Sequence, residues 1–132
     1  MPNAQIQPFL LFEGNAEEAM NLYVSLFSEA KILELHRYGS NQAGREGSVM
    51  RAVFSIKDLT LLCTDSVVKH GFTFTPSISL FVNCDSEEEI NRLYESLSAN
   101  GNAFMPIGDY GFSRKFAWLS DRFGVSWQLN LA

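Results

Sequence analysis

Glu13-Gly14-Asn15-Ala16-Glu17-Glu18-Ala19-Met20-Asn21-Leu22-Tyr23-Val24-Ser25-Leu26-Phe27 reads as a capped amphipathic helix. Asn15 is of the type that accepts a hydrogen bond from a free first-turn N–H, and Glu18, three residues on, can reach back as in a capping box. Ala16, Ala19, Met20, Tyr23, Leu26 and Phe27 recur at three- and four-residue steps, which places one apolar stripe along one side. Seventy-one positions later, taking Tyr94 against Tyr23, the same grammar returns in Ser86-Glu87-Glu88-Glu89-Ile90-Asn91-Arg92-Leu93-Tyr94-Glu95-Ser96-Leu97. Ser86 and Glu89 stand where Asn15 and Glu18 stood, and Leu22-Tyr23-Val24-Ser25-Leu26 matches Leu93-Tyr94-Glu95-Ser96-Leu97. The echo predicts two half-length modules of one plan, about residues 5–66 and 77–132, sharing one domain of 132 residues.

Working outward, Gln5 to Phe12 has the length and aromatic content of a buried strand. Its two side-chain sets are Ile6, Pro8, Leu10, Phe12 and Gln7, Phe9, Leu11. Lys31 to Tyr38 is a second strand and 39–47 a long polar loop. Ser48 to Ile56 and Leu59 to Thr64 form a hairpin about Lys57-Asp58, which completes a β-α-β-β-β order. The second copy opens with Ser77 to Cys84, where Ile78, Leu80 and Val82 are expected to pack on the helix and Ser77, Ser79, Phe81 and Asn83 to face away. Its helix is expected to end at a left-handed Asn100-Gly101. Asn102 to Ile107 follows, then a hairpin of Arg114 to Leu119 and Val125 to Leu131 through Asp121-Arg122-Phe123-Gly124. Ser126, Gln128 and Asn130 face away from the apolar set Val125, Trp127, Leu129, Leu131.

Fifteen acids against ten bases leave a net charge of −5, and no basic run forms. A nucleic acid or anionic membrane is therefore not the expected partner. The N-terminal residues lack a basic, then apolar, leader pattern, and a cytoplasmic location is the expectation. Cys63 and Cys84 sit in apolar strand-like runs, as small buried hydrophobes do, and no CxxC or Cys–His spacing is present. His36 and His70 have no carboxylate at ligand or triad spacing. The glutamate runs 17–18 and 87–89 fall in first helical turns, where acids favour the dipole and stay solvated.

The tandem order resembles the vicinal oxygen chelate superfamily, which has the glyoxalase/bleomycin-resistance/dioxygenase fold, and within it the PhnB-like, demethylubiquinone methyltransferase-like branch. The residues that carry the resemblance are Pro8-Phe9-Leu10 with Phe12 to Ala19, Tyr38-Gly39, Gly47-Ser48-Val49-Met50, and Trp118-Leu119-Ser120-Asp121-Arg122-Phe123-Gly124-Val125-Ser126-Trp127-Gln128. The resemblance implies an α+β fold of two β-α-β-β-β modules, with curved mixed sheets around a cleft, and a homodimer. It also implies a divalent ion held by His, Gln or Glu on the first and last strands of each module. Those positions correspond to Pro8, Leu62, Ser79 and Gln128, of which Gln128 alone is of a ligating type; Gln7 would take the place of Pro8 only if the first strand were shifted by one residue, which would turn that strand inside out. The expectation is therefore no metal and no other cofactor. The methyltransferase label finds no support in the residues, because no glycine-rich strand-to-helix turn is present for a nucleoside cofactor.

Two functions of different class remain. The first is binding of a small polar or anionic molecule in the cleft by Arg51, Ser79, Ser126 and Gln128. The second is a metal-free or weakly metal-dependent lyase, isomerase or transferase, whose catalytic residues the sequence does not name. Arg51 shares a strand face with Val53 and Ser55, which places a guanidinium on the expected inner face or, alternatively, in a salt bridge to a helix acid.

Overall fold

The computed structural model describes residues 5–132. The chain divides into two compact units, residues 1–70 and 71–132. The first unit runs β1 (Phe9–Phe12), α1 (Ala16–Leu26), β2 (Lys31–Arg37), β3 (Val49–Ile56) and β4 (Leu59–Asp65). The second runs β5 (Leu80–Asn83), α2 (Glu87–Ser98), β6 (Asn102–Gly108), β7 (Lys115–Ser120) and β8 (Ser126–Leu131). Their sheets are ordered β1-β4-β3-β2 and β5-β8-β7-β6. In each, the strand before the helix pairs in parallel with the last strand, and the other pairings are antiparallel. This is the expected pair of β-α-β-β-β modules.

One face of each sheet packs on its helix because strand alternation and helical stripe agree. In the first unit Ala16, Ala19, Met20, Tyr23 and Leu26 are buried with Ala52, Phe54, Leu61 and Cys63, and the Tyr23 and Phe54 rings lie 6.3 Å apart. In the second, Ile90, Leu93 and Leu97 are buried with Ala117, Leu119, Trp127, Leu129 and Leu131. Each fully buried side chain of this size contributes about 1.5–3 kcal/mol, so these seams hold the helices where short isolated helices would fray. Ion pairs on the solvent side add little: Arg37 to Glu17 of α1, and Lys115 to Glu87 of α2 at 2.9 Å. Cys63 and Cys84 are buried and unpaired by disulfide. Burial, with the Asp65 carboxylate adding to it, pushes the Cys63 thiol up to about 12.

The turns follow the sequence closely. Ile56 pairs with Leu59 around Lys57, whose φ is 48°. Gly124 takes a φ of 94°, a conformation that favours glycine, and its N–H donates to Asp121 O. At the end of α2 it is Asn100, not Gly101, that turns left-handed, with φ 59°. Gly101 is needed for a different reason, since a Cβ there would run into the Ser120 carbonyl.

Several expectations are corrected. Asn15 makes no side-chain cap bond. The start of α1 is held instead by Asp65 at the end of β4, whose Oδ1 accepts from Gly14 N–H (2.8 Å) and Ala16 N–H (2.9 Å). Asp65 Oδ2 accepts from Val49 N–H (2.9 Å). β1 begins at Phe9 rather than Gln5, although Pro8 O still accepts from Leu62 N–H. Ile78 precedes β5 and is 79% exposed, so it does not pack on α2. The first-strand register is also settled: Leu10 and Phe12 alternate toward α1, and Phe9 pairs with Leu62 on the other face. Pro8 therefore falls in the helix-packed set, and Phe9 occupies the place beside Leu62.

Candidate functional site

Each sheet has a second face that its own helix does not cover, and in the second unit that face carries a connected set of polar and aromatic side chains. Cross-strand register puts Phe81 of β5, Gln128 of β8 and Trp118 of β7 in one row. The amide of Gln128 is thereby flanked by two aromatic residues. Phe81 is exposed, Trp118 and Gln128 are half-buried, and the Phe104 ring leans on Trp118 at 4.9 Å.

Beneath this row lies a hydrogen-bond chain whose direction can be deduced. Trp118 Nε1–H donates to Ser126 Oγ at 3.0 Å, and Ser126 and Ser79 hydroxyls lie 2.6 Å apart. Gln128 Nε2–H donates to Ser79 Oγ at 3.4 Å. Ser126 is 2% exposed, and Ser79 is the only described side chain placed to accept its proton. A buried hydroxyl proton needs an acceptor, so Ser126 donates to Ser79. Ser79 Oγ then accepts twice, and its own proton is left to point away from the chain. The Oε1 carbonyl of Gln128 likewise has no partner among the described residues. A hydroxyl donor and a carbonyl acceptor stand side by side, held in place by an indole and a buried serine.

The fourth expected site residue, Arg51, belongs to the first unit. It lies on β3 with Val53 and Ser55 on the helix-free face, half exposed, and its Nη1 is 3.5 Å from Glu34 Oε1 on β2. The acid beside it is thus on a strand, while the helix acid Glu17 pairs with Arg37. The same Glu34 Oε1 lies 3.4 Å from His36 Nε2. His70 instead meets Ser66 Oγ at 2.8 Å.

The metal positions implied by the fold do not fit a divalent ion. They supply one hydroxyl (Ser79) and one amide (Gln128), with Leu62 as hydrocarbon; on the first strand Pro8 falls in the helix-packed set, and Gln7 and Phe9 alternate to the other. Among the described residues, no group of three or more His, Cys, Asp or Glu side chains is placed to hold a metal. An amide oxygen and a hydroxyl without carboxylate or imidazole partners are a poor donor set for such a cation.

Sequence reasoning grouped Ser79, Ser126 and Gln128 by strand alternation, and the structure brings these three side chains together. It missed Trp118 and Phe81 as site residues. The alternation that turns Ala117 and Leu119 toward the helix also turns Trp118 to the other face, and that signal was present in the sequence.

Two sheets of β-α-β-β-β topology, each with a helix on one face, have the architecture of the glyoxalase/bleomycin-resistance/dioxygenase fold. A glyoxylase/bleomycin resistance protein/dioxygenase domain from Frankia shares the fold with a TM-score of 0.65, at 12% identity over 98% of this chain and 92% of that one. The sequence profile of the 3-demethylubiquinone-9 3-methyltransferase family matches residues 4–130, and the chain belongs to that PhnB-like family. The PhnB protein of Bacillus cereus is 50% identical, with a TM-score of 0.95 over 98% of this chain and all of that one. Protein YjdN of Escherichia coli K12 is 21% identical over 139 residues, 96% of this chain and 94% of YjdN. Among the described residues, no helix is long and apolar enough to cross a membrane.

Proposed function

We propose that the chain is a small-molecule-binding protein that works without a metal ion, with the helix-free face of its second sheet as the main ligand surface. The observation that carries this reading is the Ser79 hydroxyl beside the Gln128 amide, between Phe81 and Trp118, with the deduced Ser79 proton and the Gln128 carbonyl left for a ligand. A donor and an acceptor fixed side by side match a neutral planar group that has both, such as a carboxamide, and the flanking rings suit a flat apolar body. An anionic group is instead read by Arg51, which has five N–H donors and spends one nitrogen on a long contact to Glu34. Methyl transfer with a nucleoside cofactor is not favoured by the strand-to-helix turns. Glu13-Gly14-Asn15 and Cys84-Asp85-Ser86 contain a single glycine, and side chains of Asp65 and Ser86 already take up first-turn amides.

The test is a calorimetric titration with benzamide and with benzoate. Benzamide is expected to bind and raise the melting temperature. Gln128→Leu and Ser79→Ala should each weaken it about tenfold. Arg51→Met should leave benzamide unaffected and remove benzoate binding, with the unliganded melting temperature unchanged. Benzamide affinity unaltered in Gln128→Leu rules the face out.

The chain is further proposed to pair as a homodimer. Ile6 (92% exposed) and Phe9 (61% exposed) are large apolar side chains in solvent that a second copy would cover. Sedimentation should report twice the 14.8 kDa chain mass.

A further inference from the structure

The first unit contains a recess of about 540 Å³ that the reading above does not use, within the size range of small-molecule pockets. It opens between the loop that joins β2 to β3 and the segment that leaves β4, and its floor is Asp65. Both walls are braced from within. In the β2–β3 loop, Gly44 lies against the Tyr38 ring so closely that a Cβ would collide with it. Gln42 Oε1 accepts from Gly39 N–H at 2.5 Å, and the base of the loop is closed by Tyr38 N–H to Ser48 O and Gly47 N–H to Tyr38 O, both 2.9 Å. In the other wall Ser66 Oγ lies within hydrogen-bond distance of His70 Nε2 and Val68 N, and His70 N–H donates to Glu13 Oε2 at 3.1 Å.

The charges lining the recess divide into those already engaged and those not. Asp65 receives three backbone N–H groups, and Glu13 receives one. Arg45 and Lys69, one on each wall, make no side-chain hydrogen bond or ion pair among the described residues. Glu46 is the one remaining carboxylate of the lining without such a contact. Two cations without a side-chain partner thus stand in a lining that also carries three carboxylates, of which Asp65 and Glu13 are held by neutral N–H donors and Glu46 is not, with Val67 and Val68 as an apolar side. We infer that this recess is a second binding site, for a small organic dianion whose charges are taken by Arg45 and Lys69 and whose carbon skeleton lies on Val67 and Val68. Guanidinium supplies a paired fork to one carboxylate or phosphate group, and the ammonium supplies a point charge to the other oxygen set. In a chain of net charge −5, such a ligand is held by these short-range contacts and not by the overall field.

The experiment is a titration of the isotope-labelled full chain with succinate, and separately with inorganic phosphate, followed by amide chemical shifts. Saturable shifts are expected at residues 45–48 and 66–69. Arg45→Met and Lys69→Met should each weaken succinate about tenfold. Glu46→Gln should tighten it by removing a like charge, and added sodium chloride should weaken it. Gln128→Leu should leave it unchanged, which separates this site from the face on the second sheet. Succinate binding more tightly than phosphate supports the organic dianion, while equal affinity for both reduces the site to a general anion site and overturns the role of the valines. The inference fails if neither anion gives saturable shifts, if the shifts fall on the second unit, or if the double variant Arg45→Met/Lys69→Met binds succinate as the wild type does.

Discussion

The two units start their helices with the same sequence grammar and secure them by different means. In the second, Ser86 Oγ accepts from Glu89 N–H at 3.1 Å and Glu89 Oε1 accepts from Asp85 N–H at 2.7 Å, so α2 is capped by residues within its own first turn. In the first, the cap comes from Asp65, 49 residues beyond the Ala16 amide it binds. The second unit has a buried aspartate too, but Asp121 serves a turn: Oδ1 accepts from Phe123 and Val125 N–H, and Oδ2 from Trp127 Nε1–H at 2.9 Å. A local cap needs only the helix, whereas the Asp65 cap exists only once β4, β3 and α1 are assembled. Similar words in sequence therefore mark one helix that is locally specified and one whose start depends on tertiary structure.

The sharpest way to break this comparison is Asp65→Ala. It leaves two buried N–H groups and one half-buried one without an acceptor and is expected to cost about 3–5 kcal/mol in urea denaturation. Asp65→Asn, which keeps one acceptor oxygen, should cost less. A loss below about 1 kcal/mol for Asp65→Ala would mean that water replaces the carboxylate and the long-range cap is dispensable.

The next contrast sets the caps side by side. Ser86→Ala is expected to destabilise by about 1 kcal/mol, and Asn15→Ala by less than about 0.5 kcal/mol, although the sequence presents both as N-caps. Equal losses at the two positions would remove the distinction between local and remote capping.

The smallest effect concerns the exposed pairs on the helices. The Arg37 guanidinium, by hydrogen bond first and then by charge, holds the Glu17 carboxyl below its ordinary range. A depressed carboxylate contributes stability above its unfolded titration range and loses it as pH falls through the folded value. Glu17→Gln should therefore lower stability at neutral pH by no more than about 1 kcal/mol, and the difference from wild type should vanish in acid. A difference that persists at low pH would assign the effect to packing.

The fold was legible because its signals are local and repeated. The Tyr23 and Tyr94 stripes, the Lys57-Asp58 turn and the Asp121-to-Gly124 turn each specify their element from a few adjacent residues. The first strand was harder, since Gln5 to Phe12 is apolar at most positions, and only pairing with β4 decides which set faces the helix. Asp65 could not be recognised as a cap from sequence, because its partners are 16 to 51 positions away. The polar members of the candidate site followed from alternation in β5 and β8. The direction of the Trp118–Ser126–Ser79 chain required the burial of Ser126, which no one-dimensional pattern reports. The recess beside Arg45 is assembled from three separate stretches of chain, none of them distinctive alone.

The placement of the two cysteines has a practical consequence. Cys63 lies in the first unit and Cys84 in the second, and both are shut away from solvent. With its side chain buried and its thiol pushed up to about 12, Cys63 is expected to meet an alkylating reagent only when the unit opens. The chain thus carries one built-in clock per unit. Pulsed alkylation followed by peptide mass mapping would time the opening of each without any added label. Matching rates would mark the two units as one cooperative body, and unequal rates would show which one lets go first.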